Sequence, residues 1–349
     1  MKAARVAWFG WIGAVLLAGC GSSTPPAQAP ASATSASPAA ALDSPSSPEP
    51  AASPELLAGI KAFDGGRYPE ARASFQAAVK KNPNDYEALY NLGMTCEKLQ
   101  DKAAAEAAYK GAIAAKPDLD TAAAELSALY MDEGRTDDAL AAARAGLAHH
   151  PGSGPLHENL GVALATRGDQ DEAIKEFEQA LQITPTEPMY HLTLAHWLNA
   201  WKLRGAVPHL DAARDLVKND YGMTASVGFE YRMAGEFDSC IKTFDHAVTM
   251  KDGGEVRTER ALCRHGLQDE KGMLDDLEAA VAKDPSYAPA HYYLAGRLAA
   301  VKRFKEAAGE YTKYLELEPN GSLAKPAAEK LKAVQEMAGK GSTPSKKKP

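Results

Sequence analysis

The side chains of this 349-residue chain that could do chemistry are its carboxylates, nine histidines and four cysteines. Glu125, Asp132 and Glu158 are of the type that paired acid–base catalysis uses. They fall at helical phases that face water or a groove, and read as a solvated face. His149 and His150 close a predicted helix, where a cation suits the helix dipole. His157, His191 and His291 share one phase of three predicted helices and read as packing residues. As metal ligands they would need those segments to curl together. The sequence has no Gly-rich phosphate loop, no G-x-S-x-G elbow and no H-E-x-x-H pair, and its cysteine spacings match no zinc pattern. No catalytic constellation, metal or cofactor is therefore expected.

The elements around these residues set their context. Lys2 and Arg5 precede a charge-free run from Val6 to Ala18. A basic start, a short apolar core and small closing residues form a secretory signal, since a membrane-spanning helix needs about 20 apolar residues. Net charge is −7, or −9 without Lys2 and Arg5. An acidic chain argues against non-specific nucleic-acid binding, which depends on Lys and Arg neutralising phosphates.

Leu17-Ala18-Gly19-Cys20 closes the apolar run and resembles a bacterial lipobox. The resemblance implies a signal over 1–19, cleavage before Cys20, and acylation of its thiol and new amino group. The other reading is an ordinary signal that happens to hold a cysteine. More than one acyl chain gives stable anchoring, so a membrane is one expected partner. Gly21, in place of Asp, implies the outer membrane facing the periplasm. Residues 20–54 then form a linker rich in Pro, Ala and Ser, expected to stay disordered. Its 34 residues after Cys20 reach roughly 100 Å if extended.

Beyond the linker, Pro83, Pro117, Pro151 and Pro185 lie 34 residues apart, as do Pro285 and Pro319. Each unit repeats a pattern: Leu92-Gly93, Ala105, Tyr109, Ala112 and Pro117 in the second; Leu160-Gly161, Ala173, Phe177, Ala180 and Pro185 in the fourth. The first shows Gly59, Ala71, Phe75, Ala78 and Pro83, the sixth Gly228, Cys240, Phe244 and Ala247, the eighth Leu294-Ala295, Ala307, Tyr311 and Pro319. This resembles the tetratricopeptide repeat. It implies an all-α, right-handed superhelical solenoid of about eight helix-turn-helix units over 52–321: about 52–85, 86–119, 120–153, 154–187, 188–220, 221–253, 254–287 and 288–321. Small residues let paired helices approach, and the aromatic is expected to fill the gap towards the next unit. Gly66, Gly134, Gly168 and Gly235 suit the turns, where positive φ is cheap for glycine. Repeat 5, with Pro208, is read as two residues short, and repeat 7 has Met273 where alanine is expected. Residues 322–336 read as a capping helix and 337–349 as a disordered basic tail. With Cys20 assigned to lipid, Cys96, Cys240 and Cys263 read as small buried side chains. A bridge between Cys240 and Cys263, on neighbouring predicted helices, stays open because exported proteins can form disulfides.

Arrays of this kind bind proteins or peptides along an extended concave face. By resemblance, the first helices line it, with Tyr90, Met94, Met131, Leu192, His196, Phe229 and Tyr292 pointing inward, some of them packing between first helices. Trp197 and Trp201, four residues apart, share a helix face and read as a partner or dimer anchor, or as buried between repeats. Asn91 and Asn159 resemble the asparagines of the carboxylate clamp that binds chaperone tails. Glu125 stands where the clamp needs a base, so the clamp is rejected. The resulting expectation is a lipid-anchored periplasmic scaffold for cell-envelope complexes. The alternatives are a pilotin-like assembly factor for a type IV pilus or secretion secretin, and an enzyme acting on envelope glycan or peptide.

Overall fold

The computed structural model describes residues 52–340. Cys20, the signal, the linker up to residue 51 and the tail from residue 341 lie outside the described residues. The helices are α1 Pro54–Asp64, α2 Tyr68–Lys81, α3 Tyr86–Lys98, α4 Lys102–Ala115, α5 Asp120–Asp132, α6 Thr136–His149, α7 Gly154–Arg167, α8 Gln170–Ile183, α9 Pro188–Ala200, α10 Ala206–Leu216, α11 Tyr221–Met233, α12 Phe237–Met250, α13 Gly254–Gly266, α14 Glu270–Lys283, α15 Ala288–Ala300, α16 Phe304–Leu317 and α17 Ala324–Lys340. Among the described residues there is no strand, and no helix is long and apolar enough to cross a membrane. They fall into two compact units, residues 52–176 and 177–340, divided within α8.

The helices up to α16 come in pairs, and each pair turns on a residue with left-handed backbone. These are Gly66, Gln100, Gly134, Gly168, Lys202, Gly235, Gln268 and Lys302, with φ between 56° and 102°. Only four are glycines. The other four adopt a conformation that is uncommon for residues with a side chain. Their spacing also locates the two missing residues, which the sequence reading assigned together to repeat 5. One is lost between Lys202 and Leu210, where α10 has 11 residues while every other second helix has 14. The other is lost in the connection 251–253, three residues long where the other connections between repeats have four.

Starts and stops have local causes. Ser53, Asp85, Asp101, Asp220 and Asp269 accept a hydrogen bond from the backbone N–H three residues on, satisfying a donor that the helix leaves free. Second helices end two residues before Pro83, Pro117, Pro151, Pro185, Pro285 and Pro319, because proline disfavours helical backbone in the residue before it.

Packing inside a pair rests on size exchange. A Cβ added to Gly59, Gly93 or Gly228 would lie 2.4, 2.5 and 2.8 Å from ring atoms of Phe75, Tyr109 and Phe244 respectively. These aromatics thus fill the gap within their own pair, where the sequence reading had sent them towards the next unit. In the third pair Ala143 replaces the aromatic, and Ser127 fits in the glycine's place, donating its hydroxyl to the Ala139 carbonyl at 3.0 Å.

Two further expectations are corrected. Cys240 on α12 and Cys263 on α13 form a disulfide, where reduced, buried thiols were preferred; Cys96 is free and buried. Residues 337–340, assigned to a disordered tail, continue α17, which buries Ala327 and Val334 against the end of the second unit.

Candidate interaction faces and a polar slot

In the unit 52–176, Tyr90, Met94 and Glu97 follow one another at helical spacing on α3 and are each half-buried. The Tyr90 ring centroid lies 6.0 Å from that of Tyr109. The Tyr109 hydroxyl donates to Glu97 Oε2 at 2.6 Å. Glu125, on α5, faces the same stripe: burial first, then the charge of Glu125, push the Tyr90 phenol up. Burial raises the Glu97 carboxyl against the opposing Tyr109 hydroxyl. Burial, then the nearby Glu97 charge, push Glu125 up to about 8. Among the described residues Glu125 has no hydrogen-bond or ion-pair partner. It is therefore not the solvated side chain expected from its phase. Met131, a groove candidate, is 3% exposed and belongs to the core. Asn159 is buried and donates to the Ala124 carbonyl at 2.8 Å, tying α7 to α5.

In the unit 177–340 the candidates divide. Leu192 is fully buried, and His196 and Tyr292 are 5% and 8% exposed, so none of the three presents a surface to a partner. His196 Nδ1 lies 2.8 Å from Glu230 Oε1 in a pair buried on both sides. Asn199 donates to the other Glu230 oxygen at 2.9 Å. Tyr292 is covered by α17: Lys330 donates to its hydroxyl at 2.7 Å and lies over its ring. Phe229, Trp197 and Trp201 are half-buried and partly open. The Arg232 guanidinium sits 4.7 Å over the Phe229 ring, and the two indoles lie 5.3 Å apart.

The shared phase of His157, His191 and His291 marks a polar slot. Each is the fourth residue of its first helix, and each places Nε2 2.9–3.0 Å from a proline carbonyl six residues earlier, that of Pro151, Pro185 or Pro285. Each Nδ1 faces the residue just before the core residue of the second helix. His157 meets Glu176 at 2.6 Å and His291 meets Glu310 at 2.5 Å. His191 meets His209, nitrogen to nitrogen, at 3.1 Å. The same slot in repeat 7 pairs Arg257 with Asp276 at 3.7 Å. Repeat 6 places Thr224 and Thr243 there. Thr243 bonds its own helix, and Thr224 Oγ1 is buried without a partner among the described residues. These histidines were expected only to pack. Glu176, His209 and Glu310 gave no separate signal, because a lone polar residue on a second helix reads as surface.

These features define an all-α array of paired helices over the described residues. Residues 56–120 and 125–188 match the family model of the tetratricopeptide repeat, so the repeats of this stretch are tetratricopeptide repeats. Among solved structures the chain is similar to yeast Tom70, 16% identical over 81% of this chain and 64% of that one, at a TM-score of 0.53. It is also similar to the APC/C hetero-tetramer Cut9-Hcn1, 14% identical over 79% of this chain and 55% of the matched one, at 0.50. A tetratricopeptide repeat protein from Parabacteroides merdae is 17% identical over 80% of this chain and 97% of its own, at 0.46. No curated protein matches the chain. The expected tetratricopeptide-type solenoid is the fold observed, an architecture that serves as a scaffold for other proteins.

Proposed function

We propose that the chain is a lipid-anchored scaffold of the bacterial cell envelope, held at the outer membrane through Cys20 and gathering protein partners for envelope-complex assembly. The observation that carries the binding role is the stripe Tyr90, Met94 and Glu97 with Glu125. It joins an aromatic, a pliable thioether and carboxyls held partly out of water, with Lys98 acting on Glu125 only through its charge and no hydrogen-bond or ion-pair partner for Glu125 among the described residues. Aromatic anchors dominate interface energetics, and a basic side chain of a partner would give Glu125 the direct ion pair it lacks. The Cys240–Cys263 bridge supports an oxidising compartment, in keeping with export by the Val6–Ala18 signal.

Two experiments test the two halves. Crosslinking in intact cells, followed by mass spectrometry, compares wild type with a folded Tyr90→Ala, Met94→Ala, Glu125→Gln variant. Envelope proteins captured by wild type and lost in the variant support the face; identical capture by both moves the interface elsewhere. Fatty-acid labelling of Cys20→Ser tests the anchor, which predicts loss of label and release from membranes. Unchanged retention sinks the anchor and leaves the binding face untouched.

A further inference from the structure

We propose that His191 and His209 form a two-imidazole site for a borderline-soft divalent cation of the zinc, copper and nickel class. The polar slot supplies the contrast. In repeats 4 and 8 the histidine faces a carboxylate, and in repeat 7 an arginine does. Repeat 5 alone places two ring nitrogens face to face, 3.1 Å apart, with ring centroids at 5.4 Å.

The tautomer of His191 follows from its other nitrogen. Nε2 lies 3.0 Å from the Pro185 carbonyl, an acceptor only, so the proton sits on Nε2 and donates to that oxygen. Nδ1 of the neutral ring is then a bare lone pair aimed into the pair. A metal-ligating imidazole is commonly held in this way, its second N–H fixed by a backbone carbonyl. His209 closes the pair without metal by donating its own Nδ1–H to His191. When a cation enters, that proton moves to Nε2 of His209, the ring stays neutral, and both Nδ1 atoms become ligands.

The separation fits. Metal–nitrogen bonds of about 2.0–2.1 Å put two nitrogens about 3.3 Å apart on a tetrahedral ion and about 2.9 Å apart at a right angle, and the observed distance falls between. Both rings are half-buried, so the pair keeps contact with solvent for entry. No group of three or more His, Cys, Asp or Glu side chains able to hold a metal occurs among the described residues. Water or a ligand from outside the pair therefore completes the coordination. The ion is a clasp between α9 and α10, the pair whose turn has lost a residue.

The test uses the purified full chain, sub-stoichiometric Cu²⁺ as the probe, and electron paramagnetic resonance to count imidazole nitrogens on the metal. Wild type is expected to show two. His209→Glu, which copies the slot of repeats 4 and 8, is expected to show one. The double variant His191→Thr, His209→Thr copies repeat 6 and is expected to lose the signal. Helix content and the unfolding midpoint are followed in each. Should the double variant fail to fold, the fall from two nitrogens to one in His209→Glu carries the test. An unchanged nitrogen count across the variants would put the copper elsewhere, the adjacent His149 and His150 being one choice, and would overturn the proposal. Absence of nitrogen coupling in wild type would overturn it equally.

Discussion

Nδ1 of His291 lies 2.5 Å from Oε2 of Glu310, while Nε2 of the same ring lies 3.0 Å from the Pro285 carbonyl. Both partners are acceptors, so both contacts are satisfied only when both ring nitrogens carry protons. Burial alone would lower the imidazole; the Glu310 and Pro285 bonds outweigh it and raise the value above the ordinary 6.5. The folded chain therefore holds this proton more tightly than the unfolded one. The stabilisation is complete below the ordinary histidine value and is lost as pH rises through the raised one. His291→Gln is expected to be less stable than wild type by about 1 kcal/mol in mildly acidic solution, with the gap closing above neutrality. Urea unfolding of both chains at about pH 5.5 and about pH 8.5 measures it; a gap independent of pH refutes the charged pair.

Glu125 gives the opposite sign. Its carboxyl is pushed up to about 8 by burial and then by Glu97. Between the ordinary carboxylate value and 8 the folded chain binds a proton that the unfolded chain has released, so stability falls as pH rises. Glu125→Gln removes that dependence. It is expected to gain about 1–2 kcal/mol at about pH 8 and little at about pH 5. The same variant should capture less partner on the Tyr90 face. A stabilised chain with weakened binding would show that the carboxylate is kept for recognition at a cost in stability.

Gly93 and Gln268 test the repeat's backbone rules in opposite directions. A methyl at Gly93 would sit 2.5 Å from the buried ring of Tyr109, so Gly93→Ala is expected to lose about 1–3 kcal/mol through overpacking. Gln268 holds φ at 60° in its turn, where glycine is at ease. Gln268→Gly is expected to gain about 0.5–1 kcal/mol. Thermal unfolding of the two single variants reads both signs.

The prolines and small residues made the repeats legible because their effects are local. Pro117 stops α4 and Gly134 turns α5 into α6 by conformation alone. Gln100, Lys202, Gln268 and Lys302 turn the chain at the same beat, yet nothing in their residue types marks a left-handed backbone. The face was harder to read. Helical phase showed which side of a helix Tyr90, Met131, Leu192 and Tyr292 occupy, but not how closely the next element covers it. Tyr90 stays partly open, whereas α17 lies over Tyr292. Glu230 and His209 were missed for the same reason: each acquires its meaning from a partner on another helix, 34 and 18 residues away in sequence. The cysteines lay between these cases. Neighbouring helices made a bridge between Cys240 and Cys263 feasible, and only the positions of α12 and α13 decide it.

That bridge spans a sequence separation of 23 residues and joins two successive repeats. Closing a loop of this size restricts the unfolded chain, an effect of about 3 kcal/mol. Most other links between α12 and α13 are packing contacts that form and break with the folded state, so the disulfide is the one tie here that persists on unfolding. Reduction is therefore expected to lower the urea midpoint while leaving helix content in native buffer unchanged. The double variant Cys240→Ala, Cys263→Ser should behave like the reduced chain and no longer respond to reductant: alanine is the residue every other repeat except the seventh, with Met273, buries at the Cys240 position, and serine keeps the volume at Cys263 close to that of the thiol. Urea unfolding with and without reductant, on wild type and variant, measures the effect. If wild type unfolds identically in both conditions, the bridge contributes nothing to stability.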